Sequence, residues 1–499
     1  MPAKRILSAA LALLLVAAIP ARATSVPTLT VIDTIRPGSG SSYAMDYSNS
    51  VALGDALYFR ATDGTHGREL WRTNGTTTEL VMDINTGTGG ADSSNPDYFT
   101  AFNGYLYFRA TDGTNGNELW RTDGTTTELV QEIHTGNSGS SPYGFTALNG
   151  YLYFTATDGI NGYELWRTNG TTTELVQDIY TGIDDSSPND FTVLGDYLYF
   201  TAYNNTYGYE LWRTNGTTTE LVRDIYTGSI SSQPIFFTAL GDFLYFNAND
   251  GTHGYELWRT NGTTTELVQD INTGTSGADS SYPYGFTPLG DFLYFNANDG
   301  THGYELWRTD GTATELVMDI NTGTSGADGS DPSGFTAYGA YLYFRAYEST
   351  HGWELWRTNG TTTELVMDIN TGTGGADGSD PYALTALGDY LYFYATDGTN
   401  RGLWRTDGTT TESVPFPGGT NQYISCDCYD TNIVAVGGRL YTTVYSSDTG
   451  NEFAYLDEPT YVLPETSRDG SVWTTTLVIL AGLTAAASIG LRLRGARRA

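Results

Sequence analysis

The 499-residue chain has only 16% charged residues but 60 glycines and 37 tyrosines, a profile of short strands and tight polar turns that argues against a helical architecture. Its formal net charge of −33 gives a surface that repels nucleic acid and anionic lipid heads. Seven of the 24 basic residues (Lys4, Arg5, Arg22, Arg492, Arg494, Arg497, Arg498) stand at the two ends, so the body between them is more acidic still.

In chain order, residues 1–23 carry Lys4 and Arg5, then an apolar run from Ile6 to Ile19, then Ala21-Arg22-Ala23. A basic start, a short apolar core and an A-x-A end predict a secretory signal peptide cleaved after Ala23. Residues 24–458 then read as one repeat array. Glu-Leu-Trp-Arg-Thr recurs from Glu69, Glu118, Glu164, Glu210, Glu256, Glu305 and Glu354, and an eighth copy from Gly402 lacks the Glu. The tryptophans (Trp71, Trp120, Trp166, Trp212, Trp258, Trp307, Trp356, Trp404) are spaced 46–49 residues apart. That is the period of propeller blades, well above that of leucine-rich repeats.

One unit shows the strands. An Asn149-Gly150 turn precedes Tyr151-Leu152-Tyr153-Phe154-Thr155-Ala156, a loop at Asp158-Gly159 leads to Tyr163–Thr168, and a second Asn-Gly turn leads to Thr173–Ile179. Asn-Gly is a strong two-residue hairpin signal, and four short strands per unit without helical periodicity predict an all-β propeller. Residues 29–36 match the last strand of a blade and residues 433–457 match the first three. The N-terminal strand is therefore expected to close a final blade begun at the C-terminus. The count is nine blades, with eight plus a terminal sheet as the alternative.

Beyond the array, residues 459–471 form a linker containing Leu463-Pro464-Glu465-Thr466. Residues 472–491 are apolar and long enough to span a bilayer, and residues 492–499 are a basic tail expected on the cytoplasmic side. The order resembles a sortase cell-wall sorting signal, with Ser467 where that motif has Gly. The repeats resemble the bacterial ELWxxDGT repeat family over roughly residues 50–412. Glu118-Leu119-Trp120-Arg121-Thr122-Asp123-Gly124-Thr125 fits that motif throughout, and Asn replaces the Asp in five units. The resemblance implies a surface or secreted repeat protein and brings no activity with it.

A residue repeated in every blade reads as scaffold. The tryptophans are expected between blades, and Arg72 with Glu79 as a pair inside one. Asp63 and Glu69 could meet at a cation or simply form a turn. The oxygen-rich loop of Asp368, Asn370, Asp377 and Asp380 is the candidate calcium site, and calcium the only candidate cofactor. His66, His253, His302 and His351 share one loop position, too far apart to share a metal. Asn74, Asn169, Asn215, Asn261 and Asn359 fit glycosylation sequons but read as turns. Cys426 and Cys428 are too close to make a framework and leave a free dithiol, a local bridge or a metal pair open. The variable loops after each last strand are where binding is expected, with Tyr143, Tyr282, Tyr284 and Tyr382 as aromatic contacts. No catalytic constellation emerges. The functional expectation is a non-catalytic propeller at the cell surface, held by membrane or cell wall, that binds a surface protein or glycan. A secreted glycan-active hydrolase or lyase and a structural surface-layer component are the competing readings.

Overall fold

The computed structural model describes residues 27–457 apart from residues 33–34, 37–40, 45–49, 87–91, 274–278, 323–327, 373–377, 416–421, 424–432 and 447–449. The residues read as a signal peptide (1–23) and as a sorting motif (463–466), the apolar stretch at 472–491, Cys426, Cys428 and Asp377 lie outside the described residues. Among the described residues no helix is long and apolar enough to cross a membrane.

Every described element is a strand, and the strands form nine antiparallel blades. Blades 1–8 span residues 51–82, 97–131, 143–177, 189–223, 235–269, 284–318, 333–367 and 382–413. We call their strands a to d from the inside outwards. In blade 3 these are Tyr143–Leu148, Tyr151–Thr157, Tyr163–Thr168 and Thr173–Gln177. Blade 9 is built from Val434–Val436, Arg439–Ser446 and Gly450–Asp457, and its strand d is Thr30–Ile32, which pairs Thr30 with Tyr455 and Ile32 with Phe453. A further pair, Gln422–Tyr423, adds to strand b of that blade. The nine-blade count with closure by the N-terminal strand therefore holds.

The blades pack because one strand serves two interfaces. Side chains alternate across a strand, so Leu152, Phe154 and Ala156 face blade 2 while Tyr153 faces blade 4. Burial on both faces explains the near-continuous apolar run of strand b. The result is nine apolar clusters, one for each of the nine interfaces. Each motif Trp lies in one of them, as expected. At the seam, Phe59 of blade 1 stacks on Phe453 of blade 9 with ring centroids 4.7 Å apart.

Two polar devices recur. The motif Glu is turned inward and fully buried. In blade 3, Glu164 accepts from the N–H of Ile179 at 2.9 Å, from the N–H of Ser186 at 2.9 Å and from its Oγ at 2.5 Å, which ties strand c to the loop leading into blade 4. The motif Arg pairs within its blade as expected, Arg72 to Glu79 at 2.5 Å, and these two residues stand directly opposite one another. Its other nitrogen reaches the hairpin carbonyl of the next blade: Arg72 to Gly124, Arg121 to Gly170, Arg167 to Gly216, each at 2.7 Å. Arg439 closes the circle on the Asn74 carbonyl of blade 1. Arg167→Ala removes the ion pair, the inter-blade bond and the stacking on Tyr151 together. It should cost about 1–2 kcal/mol, read as a lower urea midpoint at unchanged slope. Lys in its place should restore little, because an ammonium cannot hold the fork.

The hairpins differ from the sequence reading. Thr168 pairs with Thr173, so the c–d loop has four residues, and Asn169 Oδ1 accepts from the N–H groups of Thr171 and Thr172. Asn here works through its side chain rather than through a positive φ. The two-residue form, with both φ values positive, occurs at the a–b hairpin, where Asn149 has φ 50° and Gly150 φ 80°.

Candidate functional site at the channel mouth

From blade 1 round to blade 9, each strand a packs against strand a of the next blade, so these strands ring the axis and line the channel. The chain runs up strand a, down b, up c and down d. One end of the channel therefore carries the short hairpins, and the other carries the b–c loops and the loops between blades. Repetition is strict at the first end and breaks at the second.

The scaffold of that second mouth is a buried Ser, a variable residue and a Pro before strand a of blades 2–8. The variable residue sits in left-handed backbone: Ser141 at φ 47°, Ser187 at 44°, Gln233 at 49°, Tyr282 at 45°, Asp331 at 45° and Asp380 at 52°. Its N–H bonds to the carbonyl of the residue before the motif Glu, as Ser187 does to Tyr163 at 2.9 Å. That preceding residue is also variable, and so is the third-last residue of strand b in blade 3, Thr155, with its counterparts. These columns are where the blades acquire individual chemistry.

Read around the ring, the columns divide it. Arg60, Arg109 and Arg345 occupy the strand-b column of blades 1, 2 and 7, and Arg68 and Arg401 precede strand-c Leu-Trp in blades 1 and 8. Blades 3–6 carry Thr155, Thr201, Asn247 and Asn296 in the first column and Tyr163, Tyr209, Tyr255 and Tyr304 in the second. Thr155 and Thr201 turn their hydroxyls to the Pro188 and Pro234 carbonyls of the next blade, and Asn247 reaches Pro283 at 3.0 Å. Across both columns the guanidinium groups fall on blades 7, 8, 1 and 2, and the phenol rings of the second column fall on blades 3–6.

The contacts on the basic side are specific. Arg109 pairs with Asp97 through two bonds of 2.8 and 2.6 Å and lies 4.6 Å over the ring of Tyr98. Asp380 takes Arg345 at 2.9 Å and Arg401 at 2.8 Å, and Arg345 also lies 4.0 Å over Trp353. Next to Arg345, burial raises the Asp331 carboxyl above its usual range, an effect that the Arg345 charge opposes. On the aromatic side, Tyr255 and Tyr282 stack at 5.3 Å, and Tyr143 neighbours Tyr98 at 6.3 Å and Tyr163 at 6.4 Å. Burial pushes the hydroxyls of Tyr143 and Tyr284 up to about 12, so both stay protonated.

The tyrosines singled out from the sequence, Tyr143, Tyr282, Tyr284 and Tyr382, all stand at this mouth. Of the candidate calcium ligands, Asp368, Asn370 and Asp380 are described and Asp377 is not. Asp380 is held between two arginines, and Asn370 donates to the Gly378 carbonyl at 3.3 Å and packs against the b–c loop of blade 8 at Gly398. Among the described residues no three acidic, His or Cys side chains gather as a metal site. Asp63 and Glu69 do not meet at a cation either. Asp63 caps its own loop through Thr65, His66 and the His66 ring at 2.7 Å, while Glu69 points into the core. The four loop histidines each bond the acidic residue three positions earlier, as Asn115 and Asn161 do in blades 2 and 3.

No family model matches the chain, and no curated protein does. Solved structures do. A prolyl endopeptidase matches at 11% identity and a TM-score of 0.40, over 70% of this chain and 54% of that one. A puromycin-hydrolysing peptidase of Mycobacterium tuberculosis matches at 12% and 0.38, over 70% and 57%. Oligopeptidase B of Leishmania major matches at 10% and 0.38, over 83% and 54%. At these values the likeness is one of fold, and the chain spans little more than half the length of the proteins it matches. The reading as a non-catalytic adhesin and non-enzyme is nevertheless corrected. It rested on uniform repetition and on the lack of any singular constellation. The matched proteins are peptidases, and among the described residues the mouth holds a constellation that occurs once.

Proposed function

We propose that the protein acts on an extended anionic ligand, which it holds across the mouth formed by its b–c and inter-blade loops. The observation that carries this is the gathering of Arg60, Arg68, Arg109, Arg345 and Arg401 on four blades of a body that is otherwise strongly acidic. Guanidinium groups fork onto carboxylates, and the facing tyrosines offer rigid ring faces to the rest of the ligand. Asp97 and Asp380 keep the arginines in place until the ligand arrives. The same reading keeps the chain outside the cell, on the leader pattern of residues 1–23.

Calorimetric titration of the purified protein with an acidic oligopeptide and with oligogalacturonate tests this. At least one should bind, more weakly at higher salt, and Arg109→Ala and Arg345→Ala should each weaken it about tenfold or more. Chromatography of the same mixtures reads turnover as new products. Equal binding of neutral counterparts, or no effect of either arginine, would refute the reading.

A further inference from the structure

Each described strand a of blades 2–8 opens with a bulge, and the residue in it adopts left-handed backbone. Blades 3, 6 and 7 place glycine there, Gly144, Gly285 and Gly334, at φ 72°, 71° and 66°. Glycine satisfies the fold, since it enters this region without a Cβ penalty. Blades 2, 4, 5 and 8 instead place Tyr98 at φ 53°, Asp190 at 56°, Phe236 at 62° and Ala383 at 55°. For an L-residue, and for bulky Tyr and Phe above all, this backbone is strained. Burial does not repay that strain: Tyr98 is 41% and Phe236 49% exposed, and Asp190 is exposed. All three stand on the strand that lines the channel. Tyr98 packs under Arg109, whereas no described hydrogen bond, ion pair or ring contact employs Asp190 or Phe236, so the use of these two lies in the lumen.

Asp190 and Phe236 occupy the same position of adjacent blades. No described residue bonds or pairs with the Asp190 carboxylate. Although exposed to the lumen, that carboxyl is raised above its usual range by desolvation alone, since the surrounding walls displace bulk water. A lone carboxylate and an exposed aromatic ring at equivalent positions of two packed, channel-lining strands suit an ammonium group, through charge from one and the ring face of the other.

We propose that Asp190 and Phe236 form an amine subsite inside the mouth, so that the ligand is zwitterionic: a peptide whose ammonium group seats on Asp190 while its carboxylates meet the arginines. This rests on the mouth being the ligand site. A purely anionic glycan would leave Asp190 without a partner and facing like charge.

The test compares an acidic oligopeptide with its N-acetylated form and with oligogalacturonate, by calorimetry, on wild type, Asp190→Gly, Asp190→Asn and Phe236→Gly. The glycine variants match blades 3, 6 and 7, so their melting temperatures should stay level or rise, which separates lost binding from lost fold. The free-amine peptide should bind wild type at least tenfold more tightly than the acetylated one. Either Asp190 variant should erase that preference, and Phe236→Gly should reduce it several-fold. If both Asp190 variants keep the preference while Arg109→Ala still weakens binding, the subsite is wrong and the mouth stands. Tighter binding of oligogalacturonate than of the free peptide would likewise overturn the zwitterion and leave the mouth standing. Failure of all three ligands to bind wild type would overturn both.

Discussion

Glu210→Ala should destabilise the propeller by about 3–5 kcal/mol, among the largest losses expected from any single polar substitution. Glu210 is fully buried and accepts from the N–H of Ile225 at 2.9 Å, the N–H of Ser232 at 2.9 Å and the Ser232 hydroxyl at 2.6 Å. Alanine strands three buried donors at once and leaves a cavity in place of the carboxylate. It also frees the loop that carries the chain from blade 4 into blade 5. Glu210→Gln keeps the volume and one carbonyl acceptor, so it should lose clearly less. Differential scanning calorimetry of the two variants decides the matter. A loss for alanine no larger than that for an exposed carboxylate without such bonds, such as Asp242→Ala, would show that the loop does not depend on this lock.

The second large effect is on pH. Burial pushes Glu69, Glu164, Glu210, Glu256, Glu305 and Glu354 up to about 7, against the hydrogen bonds from Ser and Ile that favour the ionised form. Each folded value lies above the ordinary carboxyl value of the unfolded chain. The folded state therefore holds the extra protons, and this contribution is fully present below about pH 4.5 and lost as pH rises through about 7. His66, His253 and His302 act in the same direction, since bonding to Asp63, Asp250 and Asp299 raises them. Those three carboxyls are lowered despite their burial, by backbone bonds and by the histidines, so their contribution is lost only as pH falls through the ordinary Asp range. Stability should peak in mildly acidic solution, and the melting temperature should fall by about 10 °C between pH 5 and pH 8. Self-repulsion of the acidic surface has the same sign, but salt screens it and leaves the buried carboxyls untouched. A melting temperature that holds steady or climbs over this range in high salt would contradict the buried-carboxyl account, and Glu210→Gln should make the slope shallower.

The period of 46–49 residues, the Asn-Gly turns and the match of residues 29–36 to a last strand are local patterns, and they were enough to read a closed nine-bladed ring. The Glu lock was not legible because its partner is remote. The Ser lies 22 residues after the Glu in blades 2, 3 and 4 and 25 after it in blades 1, 5, 6 and 7, so the three extra residues of the longer repeats fall between Ile and Ser without disturbing the lock. Seen only beside Asp63, Glu69 resembled half of a cation loop; its direction into the core is a property of strand alternation next to a tightly packed neighbour. The mouth was half legible. Tyr143, Tyr282, Tyr284 and Tyr382 stood out by their loops, whereas Arg109 and Arg345 were hidden inside an apolar strand. Aligning the units on the motif Trp would have placed Arg60, Arg109 and Arg345 in one column and exposed the break in repetition.

The closure of blade 9 bears on how the chain comes to be folded at all. Thr30–Ile32, the earliest strand described, pairs only with Gly450–Asp457, the latest. During synthesis that first strand has no mate while eight blades are made, and the apolar flanks of Phe59 and Trp71 wait uncovered for Tyr441 and Phe453. Joining such distant segments carries the largest loop-closure entropy in the chain, so closure of the ring is expected to come last. Until then the unmatched ends are the place where two nascent chains can exchange strands and trap each other, and any helper that guards this protein's production has its work at that seam.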